Sequence, residues 1–433
     1  MIHLVLSVLL QHWVVVNDIH LDPFSTRGVI YGSDTTPELF KSALHAMHET
    51  VPDARVVLLG GDMLSHHFVE RAHAAGKNAV TSAIETDRTI AKDLSEAFPR
   101  AQFLVAQGNN DDPCGDYRSE VGGSYEEQLA RVWEPLVNRR GAAPNFASDF
   151  YRGGYYAARL PIRNGRAIVL NSVFWSFVYR GGCLSSPHDP GTAELTWLRT
   201  ELSRLGPATN AMILMHIPPG YDPQSTDEVD RIVDVPFLSS GRDRAFISLV
   251  SDRANALRFI VGAHTHRYDF RIVGGVPMLI ASSISPIYVN NPAFYELDVD
   301  ENGNIHDIQP FVYDPYMDDW ERKPSFDAMY NVNGFTRNAL ETISANILDG
   351  NGNARDAWIE AYTVWTTDTD HIGATWLTFA CAQTELDKGY ASCVGTTERS
   401  RKITVIAIGS FILLVLLAWV IWHGRRESRR VRL

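Results

Sequence analysis

The chain is poor in cysteine and has no Asn-x-Ser/Thr sequon, no G-x-S-x-G run, no internal repeat and no low-complexity tract. Each absence removes something. The four cysteines form no C-x-x-C pair, so zinc-finger readings fail. They are either free thiols or two pairs, Cys114 with Cys183 and Cys381 with Cys393. Without a nucleophile elbow, a covalent serine mechanism has no supporting constellation. The missing sequon is unusual for a secretory eukaryotic enzyme of this size and leaves the host open. Net positive charge is missing too: the balance over 433 residues is −12. That argues against a broad nucleic-acid surface and predicts no nucleic-acid-binding module. An anionic substrate stays open, because bound dications dominate the local field of a site.

Core material is plentiful. Hydrophobic residues make up 45% of the chain and charged residues 21%, as in globular proteins. The length suits one enzyme core with an appendage. Five short blocks fall in order along it: Asp18-Ile19-His20, Gly61-Asp62, Gly108-Asn109, a lone His216, and Gly262-Ala263-His264-Thr265-His266. Each follows a short apolar run: Val14–Val16, Val56–Leu59, Phe103–Val105, Met212–Met215 and Phe259–Val261. Runs of that kind read as buried strands. Carboxylates, imidazoles and one amide then emerge from the carboxyl ends of neighbouring strands, where open α/β sheets place their ligands. Any one block arises often by chance. All five in order predict oxygen and imidazole donors for divalent metals, with one carboxylate able to bridge two ions.

The pattern resembles the calcineurin-like metallophosphoesterases. Gly61-Asp62-Met63-Leu64-Ser65-His66 and His216-Ile217-Pro218-Pro219-Gly220 resemble the acid-sphingomyelinase-like phosphodiesterase branch. Asp189-Pro190 leading to Trp197-Leu198, and Asn291-Pro292 leading to Tyr295-Glu296-Leu297-Asp298, are similar to that branch as well. The resemblance covers residues 12–315 well and 316–400 loosely. It implies two divalent metal ions, zinc before manganese or iron, and an anionic phosphate-containing substrate. One ion would be held by Asp18, His20, Asp62 and His266, the other by Asp62, Asn109, His216 and His264, with Asp62 bridging. Asp carboxylate and neutral His are normal zinc donors, and Asn offers its amide oxygen. A cysteine pair near the end of the domain, as Cys381 and Cys393 would make, also resembles the family.

One departure stands out. The family commonly has a histidine after the asparagine ligand, whereas here the run is Gly108-Asn109-Asn110-Asp111. Asn110 thus occupies the place of an expected proton donor, and an amide cannot donate a proton at useful pH. The G-N-N-D form resembles endopolyphosphatases, whose phosphate leaving groups need little protonation. His66, Asn110 and Asp111 are therefore the candidate catalytic positions around the metals, with His66 the remaining acid. His67 reads as a surface residue, and His12, His45, His48 and His188 as uninvolved. The expected activity is hydrolysis of a phosphoanhydride, polyphosphate or nucleotide. A sphingomyelin phosphodiesterase and a non-catalytic membrane receptor on the same fold are the alternatives.

Alternating strands and helices with late hairpins predict an α/β protein, a four-layer α/β/β/α sandwich with a carboxyl-terminal helical cap. Helices are expected at Pro37–Thr50, with Thr36 as cap and Pro37 at the first position, and at Val80–Ala97 and Tyr125–Val137. Others are expected at 191–205, 242–254, Ala357–Val364 and Trp376–Leu386. Trp175, Phe177 and Tyr179 read as core before cleft. The acidic stretch Asp314–Glu321 reads as a solvated turn rather than a calcium loop, for lack of EF-hand spacing. Segments 1–11, 12–315 and 316–400 are read as an apolar lead, the catalytic domain and the cap. Met1–Leu10 is apolar but lacks a basic flank, which favours a true start upstream of Met1. Ile403–Trp422 is twenty residues without a charge, the length of one membrane-crossing helix. Three basic residues precede it and five follow in the tail 423–433, which predicts a cytoplasmic tail and a lumenal or extracellular catalytic domain.

Overall fold

The computed structural model describes residues 9–26, 28–183, 188–228, 232–367 and 369–395. The chain opens with β1 (Gln11–Val16), α1 (Pro37–Thr50), β2 (Val56–Leu59), α2 (Phe68–Ala74), α3 (Ala79–Ala97), β3 (Gln102–Val105) and α4 (Ser124–Val137). It continues through α5 (Phe146–Tyr151), β4 (Tyr156–Arg159), β5 (Gly165–Val169), α6 (Pro190–Ser203), β6 (Asn210–Leu214), α7 (Pro223–Glu228), α8 (Ser240–Ser251) and β7 (Leu257–Gly262). Then come β8 (Asp269–Val273), β9 (Val276–Ile280), β10 (Ala293–Val299), β11 (Ile305–Asp314) and β12 (Asp319–Arg322). Four helices follow: α9 (Phe326–Tyr330), α10 (Arg337–Leu348), α11 (Gly352–Tyr362) and α12 (Asp370–Cys381).

Two six-stranded sheets carry the fold, in the orders β12-β11-β10-β1-β2-β3 and β4-β5-β6-β7-β9-β8. The central strands β1, β2 and β3 are parallel, as are β5, β6, β7 and β9. The antiparallel strands lie towards the edges. Period-two alternation divides the second sheet. Ala167, Val169, Met212, Leu214, Phe259 and Val261 join the core of the first sheet. Ile168, Ile213, Ile260 and Met278 face Leu198 and Leu202 of α6 and Phe246 and Val250 of α8. Residues of α1, α3 and α4 cover the other side of the first sheet, so the layers run helix, sheet, sheet, helix. Trp13 meets Phe259 edge-on across the interface of the two sheets, with centroids 6.1 Å apart.

Local rules account for the elements that the sequence predicts. Thr36 accepts a hydrogen bond from Leu39 N at 3.2 Å, and Pro37 opens α1. Helices α2, α5 and α10 and strands β8 and β12 have weaker signals and are found only in the structure. Expected Ala357–Val364 and Trp376–Leu386 lie earlier in the chain, as α11 and α12. The acidic stretch is a hairpin turn between β11 and β12, where Asp314 accepts from Tyr316 N at 2.7 Å. Edge strand β8 is covered: Ile272 N donates to Gln383 O at 3.0 Å. Asp269 accepts from Trp358 Nε1 at 3.1 Å and Gln383 Nε2 at 2.9 Å. Such cover removes an open pairing edge. Both cysteine pairs are disulfides, Cys114–Cys183 and Cys381–Cys393. Among the described residues no helix is long and apolar enough to cross a membrane. The expected span Ile403–Trp422 and its basic tail lie outside the described residues, as do residues 1–8 of the apolar lead.

Two loops position the site, one after β2 and one after β3, and they touch backbone to backbone. A Cβ on Gly108 would lie 2.1 Å from Asp62 Oδ1, so only glycine fits there. Asp111 ties the loops together. Its buried carboxylate accepts from Asp62 N at 2.9 Å, Met63 N at 2.6 Å, Leu64 N at 3.3 Å and Gly108 N at 2.7 Å. Asp111 is one of the expected catalytic positions, and main-chain donors take up both of its oxygens.

Replacing Asp111 by Asn would turn an NH2 group onto main-chain N–H donors. The fold should lose about 2–4 kcal/mol, read as a lower urea midpoint, because hydrogen bonds to an ionised acceptor are lost and buried donors are orphaned. A second expectation concerns Glu126 on α4, whose buried oxygens have no hydrogen-bond partner outside their own residue among the described residues. Burial, with Asp112 adding like charge, pushes its carboxyl up to about 8 from 4.5. A raised carboxyl stabilises the fold fully below its unfolded pKa, and that contribution fades as pH rises towards 8. Glu126→Gln should flatten the pH dependence of unfolding between pH 5 and pH 8. At pH 8 the variant should exceed the parent by about 2–3 kcal/mol. Parallel pH profiles for the two proteins would refute it.

Candidate metal centre

The expected ligands converge where β1, β2, β3, β6 and β7 end. Five of the seven sit in the left-handed backbone region: Asp18 and His20 at φ 45°, Asp62 at 55°, His264 at 73° and His266 at 55°. Asp and His enter that region more readily than most residues, but each instance is strained and is held by its surroundings. Asp18 N donates to Gly61 O at 3.1 Å and His20 N to Asp62 O at 2.8 Å, which fixes the first turn against the second. Asn17 Nδ2 donates to Gly262 O at 3.0 Å and Ala281 O at 3.2 Å, joining the two sheets beneath the site.

Asp62 is central. Its Oδ2 lies 3.3 Å from His20 Nε2 and 3.4 Å from His216 Nε2, so one oxygen faces both halves of the ligand set. On one side, His20 Nε2 and His266 Nε2 are 3.2 Å apart, and Asp18 Oδ1 is 3.6 Å from His266 Nε2. On the other, His216 Nε2 is 3.0 Å from Asn109 Oδ1. The distal nitrogens are tied back: His20 Nδ1 to Leu64 O at 3.0 Å and His216 Nδ1 to Gly60 O at 2.9 Å. Asn109 Nδ2 donates to Asp116 at 2.9 Å, turning its oxygen inwards. These tethers select the tautomer and amide orientation that present acceptor lone pairs to the centre, as metal ligands require. Lone pairs facing one another at such distances fit a cation between them. His264 stands at the rim. Its main-chain N–H reaches Asp18 at 3.2 Å, and its Nε2 lies 3.3 Å from the Tyr117 hydroxyl.

Burial sets the charge state. It pushes the His20 imidazole down to about 4, helped by the nearby His66, and the His264 imidazole to about 3, helped by His216. His266 is driven well below its usual range by burial and by His20. Neutral imidazoles are the metal-binding form. Desolvation raises the Asp18 carboxyl to about 8. Asp62 is desolvated too, but His216 and His20 outweigh that and hold it well below the usual carboxylate range. His216 departs from the other imidazoles: burial works against its proton, but the Asp62 charge and hydrogen bond and the Asp18 charge prevail and raise it to about 9.

Asn110 does not face the open side of the site. Its main-chain N–H donates to Asp62 Oδ1 at 2.8 Å and its side-chain Nδ2 to Asp62 Oδ2 at 2.9 Å. His66 does stand at the open side, stacked on His20 with centroids 4.1 Å apart. Three residues that the sequence does not single out hold it there. His66 Nδ1 lies 2.8 Å from Asp34 Oδ1. Arg71 donates to Asp34 Oδ2 at 2.9 Å, to Asp22 Oδ2 at 2.7 Å and to His66 O at 2.8 Å. Burial works against a proton on His66, but the Asp34 hydrogen bond and charge prevail and raise its pKa.

A cleft of about 540 Å3 opens from His264. Tyr117, Phe237, Tyr288 and Arg267 are among its walls. Tyr288 stands edge-on to His266 at 4.8 Å and to His66 at 6.0 Å. Among the described residues no carboxylate forms an ion pair with Arg267, whose guanidinium lies 6.0 Å from the centre of the Tyr362 ring. Trp175 is core, against Phe246, and Phe177 is 58% exposed. His67 is exposed, as expected of a surface residue.

The calcineurin-like phosphoesterase family profile matches residues 13–268. A relative from Dictyostelium discoideum, sphingomyelinase phosphodiesterase D, is 28% identical over 346 residues, 74% of this chain and 72% of that protein. An endopolyphosphatase from Cryptococcus neoformans var. neoformans is 24% identical over 167 residues, 38% of this chain and 23% of that protein. Among solved structures, a dimetal phosphatase from Danio rerio aligns over 70% of this chain and 95% of its own, with 13% identity and a TM-score of 0.44. The family implies two divalent metal ions, and the buried Asp18, His20 and His266 and the buried Asp18, Asp62 and His216 form ligand clusters suited to them. The chain belongs to the calcineurin-like phosphoesterases and is a metal-dependent phosphoesterase.

Proposed function

We propose that the protein is a binuclear-metal hydrolase of P–O bonds that favours phosphoanhydrides, polyphosphate or nucleotide. The observation that carries the binuclear reading is the single Asp62 oxygen facing His20 and His216 at nearly equal distance. Asp18, His20, Asp62 and His266 would hold one ion. Asp62, Asn109, His216 and His264 would hold the other, His264 from the rim. The oxygen and imidazole donor set suits zinc, with manganese or iron as alternatives. When bound, the two ions supply Lewis-acid charge to the phosphoryl oxygens and acidify an attacking water.

The chain's own residues do the rest. Asn110 grips both oxygens of Asp62 and keeps the bridging carboxylate in place. His66, oriented through Nδ1 by Asp34, is placed to give a proton from Nε2 to the leaving oxygen. Arg267, on the cleft wall and without an ion-pair partner among the described residues, is a counter-charge for a further phosphate of the substrate. The anhydride preference rests on Asn110: a phosphate leaving group needs little protonation, so loss of a histidine donor there is tolerated. A sphingomyelin phosphodiesterase is the second reading, favoured by the exposed apolar Phe177, Tyr288 and Val289 and by the named Dictyostelium relative. We take residues 12–315 as the catalytic domain and 316–400 as its cap. We take Ile403–Trp422 as a membrane anchor that holds the enzyme on the lumenal or extracellular side. The two disulfides support an oxidising compartment.

Elemental analysis of the purified protein should find two transition-metal ions per chain, with Asp62→Asn losing both metal and hydrolysis. At most one ion after zinc or manganese loading would end the binuclear reading. Leaving-group dependence separates the substrates. Polyphosphate, nucleoside triphosphates and nitrophenyl esters should turn over well, and sphingomyelin and alkyl phosphodiesters slowly. His66→Ala should hurt alkyl substrates more than anhydrides, and Asn110→His should narrow the gap, with about 10²–10⁴-fold as the scale for one general acid. A native enzyme that prefers sphingomyelin to every anhydride tested would make the second reading the right one.

A further inference from the structure

A second group of charges lies at the other end of the first sheet. Arg55 precedes β2, Arg100 precedes β3, Arg159 ends β4, and Arg139 and Arg140 follow α4. Together with Gln102 they line a pocket of about 300 Å3 in which no carboxylate takes part. Among the described residues none of the five guanidinium groups forms an ion pair, in a chain whose net charge is −12. Two are held by carbonyl groups. Arg139 donates to Phe98 O at 3.2 Å, Pro99 O at 2.8 Å and Ala101 O at 2.7 Å, and Arg159 donates to Gly141 O at 2.7 Å. Arg140 has a φ of 59°, a left-handed conformation that an arginine enters only at a cost. The backbone thus spends strain where it adds a fifth like charge. Desolvation and the neighbouring Arg140 lower the Arg139 pKa, as expected where cations crowd without counter-charge.

We propose that this pocket is a second anion site, one that binds clustered phosphate groups in solution. Planar guanidinium forks match phosphate oxygens two at a time, and arginines already held by carbonyl groups lose less freedom on binding. The pocket is distinct from the metal centre. Strands β2 and β3, four residues each, run from the arginines towards Asp62 and Asn109, which puts roughly 13 Å of sheet between the two at 3.3 Å per residue, with loop residues beyond it. A triphosphate cannot touch both, whereas a long condensed chain can. The proposal stands apart from the choice of substrate at the metal centre.

The test is calorimetric titration of the full-length holoenzyme with a triphosphate analogue whose bridging atoms are methylene carbons, which resists hydrolysis. The parent protein and the Arg55→Gln/Arg140→Gln variant both keep the metal centre, so the difference between their isotherms reports the pocket. The parent should show a second, salt-sensitive binding event that weakens about tenfold or more in the variant. Thermal unfolding of the unliganded variant checks that these exposed substitutions leave the fold intact. Identical isotherms would overturn the proposal. So would a parent that sediments with phosphatidylcholine vesicles containing phosphatidylinositol bisphosphate, in an arginine-dependent way, while the soluble analogue does not tell the two proteins apart. That result would assign the arginines to a lipid surface.

Discussion

The site depends on the contact between the loop after β2 and the loop after β3. Each loop arrives on a parallel strand, and parallel neighbours end side by side, so the two turns must share a narrow space. Glycine at 108 permits the approach, and Asp111 holds it by accepting from main-chain amides of both loops. Asp62 is then gripped at both oxygens by Asn110. The Asp62 carboxylate therefore has little freedom of its own. Its position is set by backbone from two strands, before any ligand contributes.

This arrangement explains why the expected ligands and the residues around them differ in how legible they are. Asp18, His20, Asp62, Asn109, His216, His264 and His266 follow strand ends at fixed local spacing, and a strand end is a local property. The cap of α1 at Thr36 is local too. Asp34 reaches His66 and Arg71 across 32 and 37 residues of chain that no motif spans, so nothing in the sequence marks it. The left-handed turns at five ligands are likewise silent, because Asp and His do not announce positive φ as glycine does. Asp111 is visible in the Gly108-Asn109-Asn110-Asp111 run, but its role is not. Its four main-chain donors come from two loops far apart in the chain, and only the structure shows them together. Strand β8 and helix α10 escaped for a different reason: an edge strand takes its stability from the segment laid over it, here from Gln383, Trp358 and Ser344.

In the proposed mechanism His66 and Asn110 share out the work around the Asp62 carboxylate. Asn110 donates inwards and cannot release a proton. His66 is held from behind by Asp34, itself fixed by Arg71, and keeps its second nitrogen towards the open side. A histidine at position 110 would have to choose between gripping Asp62 and protonating a leaving group. With an amide there, the proposed reading keeps Asn110 on Asp62 and leaves proton transfer to His66. The centre gains rigidity at the carboxylate and gives up a redundant acid. That trade is tolerable where the leaving oxygen is weakly basic and costly where it is an alkoxide. On the proposed reading, the identity of residue 110 links the hold on the Asp62 carboxylate to the class of bond that is cleaved fastest.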